Sequence, residues 1–224
     1  MAISNSGVGI RPGVCTSTTR PTAPYEGQMI YETDTDLTYV WGGSAWQQVS
    51  GGTAVGNSGL VYITSGSLSG TTTNFVGCFT STYDNYRIVL SSCSMSGDGD
   101  IYWRGLVGST AGTTADYSFA MNGLITSGTS FNATNAAASL GYTGVSAVGG
   151  VGNVIVGSSS IDFYGPKLTQ RTFATVNGMG YYSGFYGRSG MTHFNLTTSF
   201  DGIQFLSATA STMSGTVTIY GYRK

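Results

Sequence analysis

The sequence predicts an all-β protein with a short N-terminal β-hairpin module and an antiparallel, jelly-roll-like β-sandwich head. Two observations support this class. Short runs rich in Val, Ile, Thr, Tyr and Phe alternate with clusters of Gly, Ser, Asn and Asp about every 8–12 residues. Only 8% of the 224 residues are charged, where about 25% is usual. Because Lys and Glu coat most exposed helices, their scarcity argues against a helical protein.

The N-terminal segment contains a clear hairpin. Gln28–Glu32 and Leu37–Trp41 alternate apolar and polar side chains, and Thr33–Asp36 between them has the composition of a turn. A third strand is predicted over Ala45–Val49. A sheet of this size is marginal alone in water and has no partner layer that the sequence reveals. We therefore predict that its rings dock against another protein or a symmetry mate; they are Tyr31, Tyr39, Trp41 and Trp46.

The larger C-terminal region has its own pattern of strands. We predict a docking segment over residues 1–49, a flexible Gly/Ser linker over 50–59 and a head over 60–224, which is large enough to bury its own core. The predicted strands of the head are Val61–Thr64, Tyr86–Ser94, Asp100–Val107, Ser118–Leu124, Ile161–Tyr164, Thr172–Val176, Met179–Tyr186, His193–Leu196, Ile203–Leu206 and Gly215–Tyr222. Within the less regular stretch 127–158, Ala136–Ala138 is interpreted as a loop or edge strand rather than a helical turn.

The hairpin also carries a family resemblance. Thr18–Asp36 reads Arg-Pro, then Tyr-Glu-Gly-Gln, then Ile-Tyr-Glu-Thr-Asp, and Tyr39–Trp46 ends in Trp-x-Gly-Ser-Ala-Trp. This order of residues closely resembles a module near the N-termini of tail-fibre and minor structural proteins of tailed bacteriophages. Tyr83–Val89, Phe200–Phe205 and Gly215–Tyr222 resemble parts of fibre-head domains more loosely. The resemblance implies a location in the virion and a β-sandwich head carried as a homotrimer.

The charge balance and the cysteines narrow the possible partners. Nine basic and ten acidic residues leave no positive surface for nucleic acid or an anionic membrane, so we expect neither as a partner. The N-terminus lacks the basic and apolar regions of a secretory signal, and no apolar run is long enough to span a bilayer. Assembly in the host cytoplasm and release by lysis are therefore expected. Free thiols at Cys15, Cys78 and Cys93 are favoured over a Cys78–Cys93 disulfide.

The sequence offers no strong catalytic or metal-binding motif, so we expect no enzyme, no metal and no cofactor. The single histidine, His193, lies in a predicted strand and is interpreted as a residue of the core or its rim. Asp98-Gly99-Asp100 lacks the calcium-loop pattern and is interpreted as a turn. Long repeats of the kind that build β-helical depolymerases are absent from the sequence.

Aromatic side chains are the positive signal. Phe, Trp and Tyr make up 12% of the chain, and several cluster with an arginine between residues 179 and 188. Because binding loops favour rigid amphipathic rings, this cluster is a candidate for contact with glycan. The core and a trimer interface remain alternatives for the same cluster, and Trp103 is assigned to core or interface. The candidate contacts are Tyr181, Tyr182, Tyr186 and Arg188.

Together with the resemblance to phage fibre proteins, these patterns lead us to expect a non-enzymatic virion protein, a homotrimeric tail fibre. Residues 1–49 would dock to a tail or head adaptor protein, and the head would contact polysaccharide on the host surface. Trimerisation is also expected because a Tyr-rich surface with few charges exposes apolar patches of the kind that mark interfaces. The first alternative is a capsid decoration or neck fibre without a receptor role, and the second is a polysaccharide depolymerase.

Overall fold

The computed structural model describes residues 12–50, 59–126, 128, 130–147, 157–181 and 185–224. Across these ranges the secondary structure is β-strand without helix, which confirms the all-β class. A helix long and apolar enough to cross a membrane is accordingly not found among the described residues. The chain divides into two compact units, Met1–Asn57 and Ser58–Lys224. Most of the predicted linker, residues 51–58, lies outside the described residues.

The first unit is a four-stranded sheet in the order β1-β2-β3-β4. Its strands are β1 (Gly13–Cys15), β2 (Met29–Glu32), β3 (Leu37–Trp41) and β4 (Trp46–Ser50). β1 runs parallel to β2, whereas β2, β3 and β4 pair antiparallel. The predicted hairpin and the strand that follows it are therefore confirmed. β1 was not predicted, because the prolines around it indicated only an extended chain.

The connection between β1 and β2 covers part of one face of this small sheet through Arg20. Arg20 lies in that connection, forms an ion pair with Glu32, and places its guanidinium carbon 4.4 Å from the centroid of the Tyr39 ring. Glu32 is fully buried, and Ile30 beside it is 1% exposed. Arg20 comes from an irregular segment without a periodic pattern, so this contact was not predicted; the docking of the exposed rings stays a prediction.

The second unit packs an eight-stranded antiparallel sheet against a smaller one. The larger sheet has the order β11-β10-β15-β14-β13-β7-β17-β5, and the smaller one has β12-β8-β16-β6 with β9 beside β8. The strands are β5 (Leu60–Leu68), β6 (Thr72–Phe75), β7 (Asn85–Met95), β8 (Gly99–Val107), β9 (Thr110–Ala111), β10 (Tyr117–Ile125), β11 (Ser130–Ala138), β12 (Gly141–Ala147), β13 (Gly157–Tyr164), β14 (Thr172–Tyr181), β15 (Phe185–Phe194), β16 (Gly202–Ser207) and β17 (Met213–Tyr222).

The core lies between the two sheets. Trp103 of β8 is 1% exposed, and its ring centroid is 5.2 Å from that of Tyr117 and 4.9 Å from that of Phe163, which belong to the larger sheet. In β7 the alternating residues Ile88 and Leu90 are fully buried, as strand periodicity predicts. These contacts confirm the predicted sandwich and place Trp103 in its core.

Two predicted strands of the second unit differ from the structure. The strand over Met179–Tyr186 was wrong, because Tyr181 ends β14 and Phe185 begins β15, where the two residues are direct cross-strand partners. Rings at the ends of both strands make the sequence look continuous across this reversal. The strand over His193–Leu196 is only the last two residues of β15. Residues 136–138 belong to β11, which lies at the edge of the larger sheet.

Candidate functional site

A groove of about 600 Å³ lies on the outer face of the eight-stranded sheet. It is formed by β11, β10, β15 and β14, which are consecutive neighbours in that sheet. A second concavity of about 320 Å³ lies on β11, β10 and β15. The strand register explains which residues line the larger concavity.

Four polar residues form a row across the groove, which we call the amide row. They are direct cross-strand partners on β11, β10, β15 and β14, in the order Asn132, Asn122, Ser189 and Asn177. Direct partners project to the same face of an antiparallel sheet, and successive residues of a strand project to opposite faces. Because Met121 and Val176 are buried in the core, the amide row faces outward.

The next row of the groove begins with Ser130 on β11 and continues with Leu124, Gly187 and Met179, which we call the apolar row. Leu124 and Met179 are 66% and 64% exposed, and Gly187 lies between them on β15. A Cβ atom added to Gly187 would meet no atom within 4 Å, so this glycine leaves the middle of the groove open. At the end of the strands, the rings of Tyr181 and Phe185 lie 5.3 Å apart in an edge-to-face arrangement.

The amides of this row are available to a ligand. Asn122, Asn132 and Asn177 are all exposed, and no hydrogen bond joins their side-chain amides to another group within the part of the chain that the structure describes. Each amide can both donate and accept hydrogen bonds. The row can therefore pair with a ligand whose polar groups also do both, as hydroxyl groups do.

The groove carries no charge on its surface. β10, β11, β14 and β15 contain a single Asp, Glu, Lys or Arg residue, Arg188. Arg188 is among the lining residues, but its side chain projects to the opposite face of the sheet, where it is 14% exposed. A paired acid and base of the kind that hydrolyses glycosidic bonds is thus not present on these four strands.

Beneath the groove, the Arg188 side chain joins the two sheets in what we call the inter-sheet cluster: Asp100, Tyr102, Tyr142, Tyr186 and Arg188. Arg188 Nη1 donates to Asp100 Oδ1 at 3.3 Å, and the Tyr142 hydroxyl donates to the same oxygen at 2.9 Å. Burial lowers the pKa of Arg188, while burial and the nearby Asp100 carboxylate raise the pKa of Tyr102 to about 12. The cluster supports the groove from below.

The four predicted glycan contacts are separated by the structure. Tyr181 is 39% exposed on the outer face, two residues beyond Met179 on β14, and is not among the residues that line the groove. Tyr186 is 4% exposed and packs in the inter-sheet cluster, with its ring centroid 4.6 Å from the Arg188 guanidinium carbon. Tyr182 lies outside the described residues. The sequence analysis missed the amide row, since isolated Asn and Ser residues become a site only once the strand order is known.

The four predicted docking residues occupy both faces of the first sheet. Tyr39, Trp41 and Trp46 share the face that Arg20 covers in part, and the two tryptophan rings lie 5.5 Å apart. Tyr31 is on the opposite face, where its hydroxyl donates to Asp36 Oδ1 at 2.7 Å. The structure therefore brings three of the four residues together and leaves Tyr31 apart from them.

The other residues that the sequence singled out lie outside the groove. His193 is half-buried on the outer face, with its ring centroid 5.7 Å from that of Phe173. Cys15, Cys78 and Cys93 are free thiols. Asp100 enters the inter-sheet cluster rather than a metal site. Within the described ranges, no three His, Cys, Asp or Glu residues are grouped so that they could hold a metal ion.

Comparisons with known protein families, with curated proteins and with solved structures found no match to this chain. The chemistry of the groove therefore rests on its own residues. The groove combines neutral hydrogen-bonding amides with exposed apolar side chains, and the rings of Tyr181 and Phe185 lie beyond it on the same sheet face. Such a surface suits a neutral ligand that has both hydroxyl groups and apolar faces.

Proposed function

We propose that this chain is a fibre protein of a tailed-phage particle that binds host-surface polysaccharide through the groove of its second unit. The observation that carries the binding role is the amide row beside the apolar row on one exposed sheet face. Sugar hydroxyl groups would pair with the amides, and the C–H faces of sugar rings would pack on Met179, Leu124 and the ring of Tyr181. Both kinds of contact are available side by side.

The virion part of the proposal is supported by the resemblance of residues 18–46 to the phage module. A separate compact N-terminal unit, small and rich in tryptophan, is consistent with a docking element. The head would then present its groove to the host, and residues 1–49 would attach the fibre to another virion protein.

The binding role is tested with the purified full chain and a panel of bacterial surface polysaccharides. Asn122→Ala combined with Asn177→Ala removes two amides, each of which would contribute about 0.5–1.5 kcal/mol as a hydrogen-bonding partner. We expect affinity for the bound polysaccharide to fall between about 5-fold and 150-fold. Thr216→Ala, at an exposed position of β17 on the same sheet, is the matched control. Unchanged affinity in the double variant would overturn the role of the groove.

A capsid decoration or neck fibre without a receptor role is the alternative. It predicts that the purified chain binds none of these polysaccharides and that labelled protein is found on the head or neck of the particle. A depolymerase would shorten the polysaccharide during incubation with the purified chain, which a binding protein leaves intact. Imaging of labelled particles and sizing of the polysaccharide distinguish these outcomes.

A further inference from the structure

We infer that the groove selects a chain of uncharged sugars over acidic polysaccharides that carry carboxylate or phosphate groups. The inference rests on the proposed function and adds the class of glycan. It follows from the distribution of charge over the whole eight-stranded sheet and from the direction in which the Arg188 side chain points.

The strands of the larger sheet contain only three charged residues: Arg87, Asp162 and Arg188. Arg87 and Asp162 are cross-strand partners on β7 and β13 that neutralise each other through two hydrogen bonds, Nε to Oδ1 at 2.7 Å and Nη2 to Oδ2 at 2.8 Å. Burial raises the pKa of Asp162, but hydrogen bonds from Arg87 and Tyr222 outweigh it and leave that pKa below its ordinary value. Both groups therefore stay ionised, and their charges cancel within the pair.

Arg188 is the only cation within the four groove strands, and the register keeps it away from a ligand. Its neighbours Gly187 and Ser189 face the groove, so its side chain projects between the sheets. There it meets Asp100 and lies 5.4 Å from the centroid of the Tyr142 ring. A carboxylate or phosphate in the groove would lose hydration without gaining a cation, which is unfavourable. A hydroxyl group would exchange water for an amide at little cost.

The dimensions of the site suit an oligosaccharide that crosses the strands. Neighbouring strands lie about 4.8 Å apart, so the amide row spans about 14 Å from Asn132 to Asn177. The apolar row is two residues further along each strand, or about 7 Å away. A sugar chain along the groove would therefore meet amides on one side and Leu124, Gly187 and Met179 on the other. This arrangement can hydrogen-bond to hydroxyl groups and pack against the apolar faces of sugar rings. It has no cation that could pair with a negatively charged sugar.

The test compares neutral and acidic glycans on the full-length protein. The probes are oligosaccharides of glucose, galactose, mannose and N-acetylglucosamine, and uronate-containing and phosphorylated oligosaccharides of equal length. We expect at least one neutral probe to bind, with an affinity that changes less than about twofold between low and high salt, because no ion pair is involved. Tighter binding of an acidic probe that weakens steeply with salt would overturn this inference and leave the proposed function standing.

Two variants locate the binding. Gly187→Leu places a side chain in the open centre of the groove and should reduce neutral-glycan affinity at least tenfold, whereas Thr216→Leu on β17 should not. Asn177→Lys adds an outward cation and should create affinity for the acidic probes. If Gly187→Leu fails to fold, the Asn122→Ala and Asn177→Ala double variant replaces it. Three outcomes would instead overturn the proposed function. They are glycan binding that neither groove variant changes, no binding by any probe, and a changed oligomeric mass in Gly187→Leu.

Discussion

Arg188 shows how a single position within a strand determines which surface a side chain can serve. Its neighbours Gly187 and Ser189 contribute to the groove, but strand alternation directs the guanidinium between the sheets. Tyr186 follows the same alternation and is buried beside it. The predicted cluster is thus divided between the two faces of the sheet: Tyr181 is on the outer face, two residues beyond Met179 of the groove, whereas the side chains of Tyr186 and Arg188 lie between the sheets.

The contribution of the core to the stability of the second unit can be tested at Trp103. Its indole packs edge-to-face against both Tyr117 and Phe163 and therefore links the two sheets. Trp103→Ala should lower the free energy of unfolding of the second unit by about 3–5 kcal/mol, because it leaves a large cavity. Urea unfolding followed by circular dichroism measures this change. A loss below about 1 kcal/mol would show that the ring does not hold the sheets together.

The buried Glu32 predicts an acid response of the first unit. A hydrogen bond from Arg20 holds the pKa of Glu32 below its ordinary value. Since the folded-state pKa is lower than the unfolded one, the stabilisation is present above the unfolded pKa of about 4.3 and is lost as pH falls through the folded value. Unit 1 should therefore lose stability below about pH 4.3, observed as a change in the fluorescence of Trp41 and Trp46.

Glu32→Gln is the control for this response. It should reduce the pH dependence between about pH 5 and pH 3 without removing it, since hydrogen bonds from Ser17 also hold the pKa of Asp34 below its ordinary value. If Glu32→Gln and the unchanged protein lose stability with the same pH dependence, the buried pair is not the origin of the effect. Arg20→Met should lower stability at neutral pH, because it leaves the buried carboxylate without its partner.

At the scale of elements, strands with regular alternation could be predicted from sequence. Which strand pairs with which in the sheet could not be predicted. β7 and β17 show clear alternation, and the hairpin of β2 and β3 is bounded by a turn sequence. The amide row, in contrast, depends on the pairing of β10 with β15, which are far apart in sequence. The periodicity of a strand indicates which face of the sheet each residue occupies. It does not indicate which other strand lies beside it. The groove therefore could not be predicted, although the exposed polar faces could.

The first sheet supports a prediction about docking. Trp41→Ala with Trp46→Ala removes two half-buried rings that share one face, each able to contribute about 1.5–3 kcal/mol when buried against a partner. Incorporation into particles should fall at least tenfold, while the melting temperature of the second unit stays nearly unchanged. Quantitative immunoblotting of purified particles and calorimetry measure the two effects.

Tyr31→Ala, on the opposite face, is the matched control for docking. If it leaves incorporation unchanged, the docking surface is the face shared by Tyr39, Trp41 and Trp46. Loss of incorporation in Tyr31→Ala alone would assign docking to the other face, where Met29 is 45% exposed. A destabilised second unit with normal incorporation in the Trp41→Ala, Trp46→Ala variant would contradict the division of roles between the two units.

At the scale of the whole molecule, the exposed apolar side chains favour self-association. Outside the groove, Phe173, Met191 and Tyr164 are 50%, 57% and 42% exposed on the outer face of the larger sheet. Apolar surface of this kind is typical of interfaces, and a sheet with so few charges does little to prevent contact between copies. We predict a homotrimer, as the resemblance to phage fibres also implies. Multi-angle light scattering should give three times the chain mass of 23.2 kDa.

A trimer should bind a glycan-coated surface differently from a monomer, because it carries three grooves. A shallow, uncharged groove is expected to bind a single short glycan weakly, because only a few hydrogen bonds and apolar contacts are made. Three grooves on one particle-bound fibre would bind a polysaccharide-coated surface about 10²–10⁴ times more tightly than one groove binds the free oligosaccharide, provided that all three can engage together. Surface plasmon resonance on a dense polysaccharide layer, compared with titration of the free oligosaccharide, measures this ratio. A stable monomer at micromolar concentration, or a ratio near one, would contradict the trimer with three open grooves.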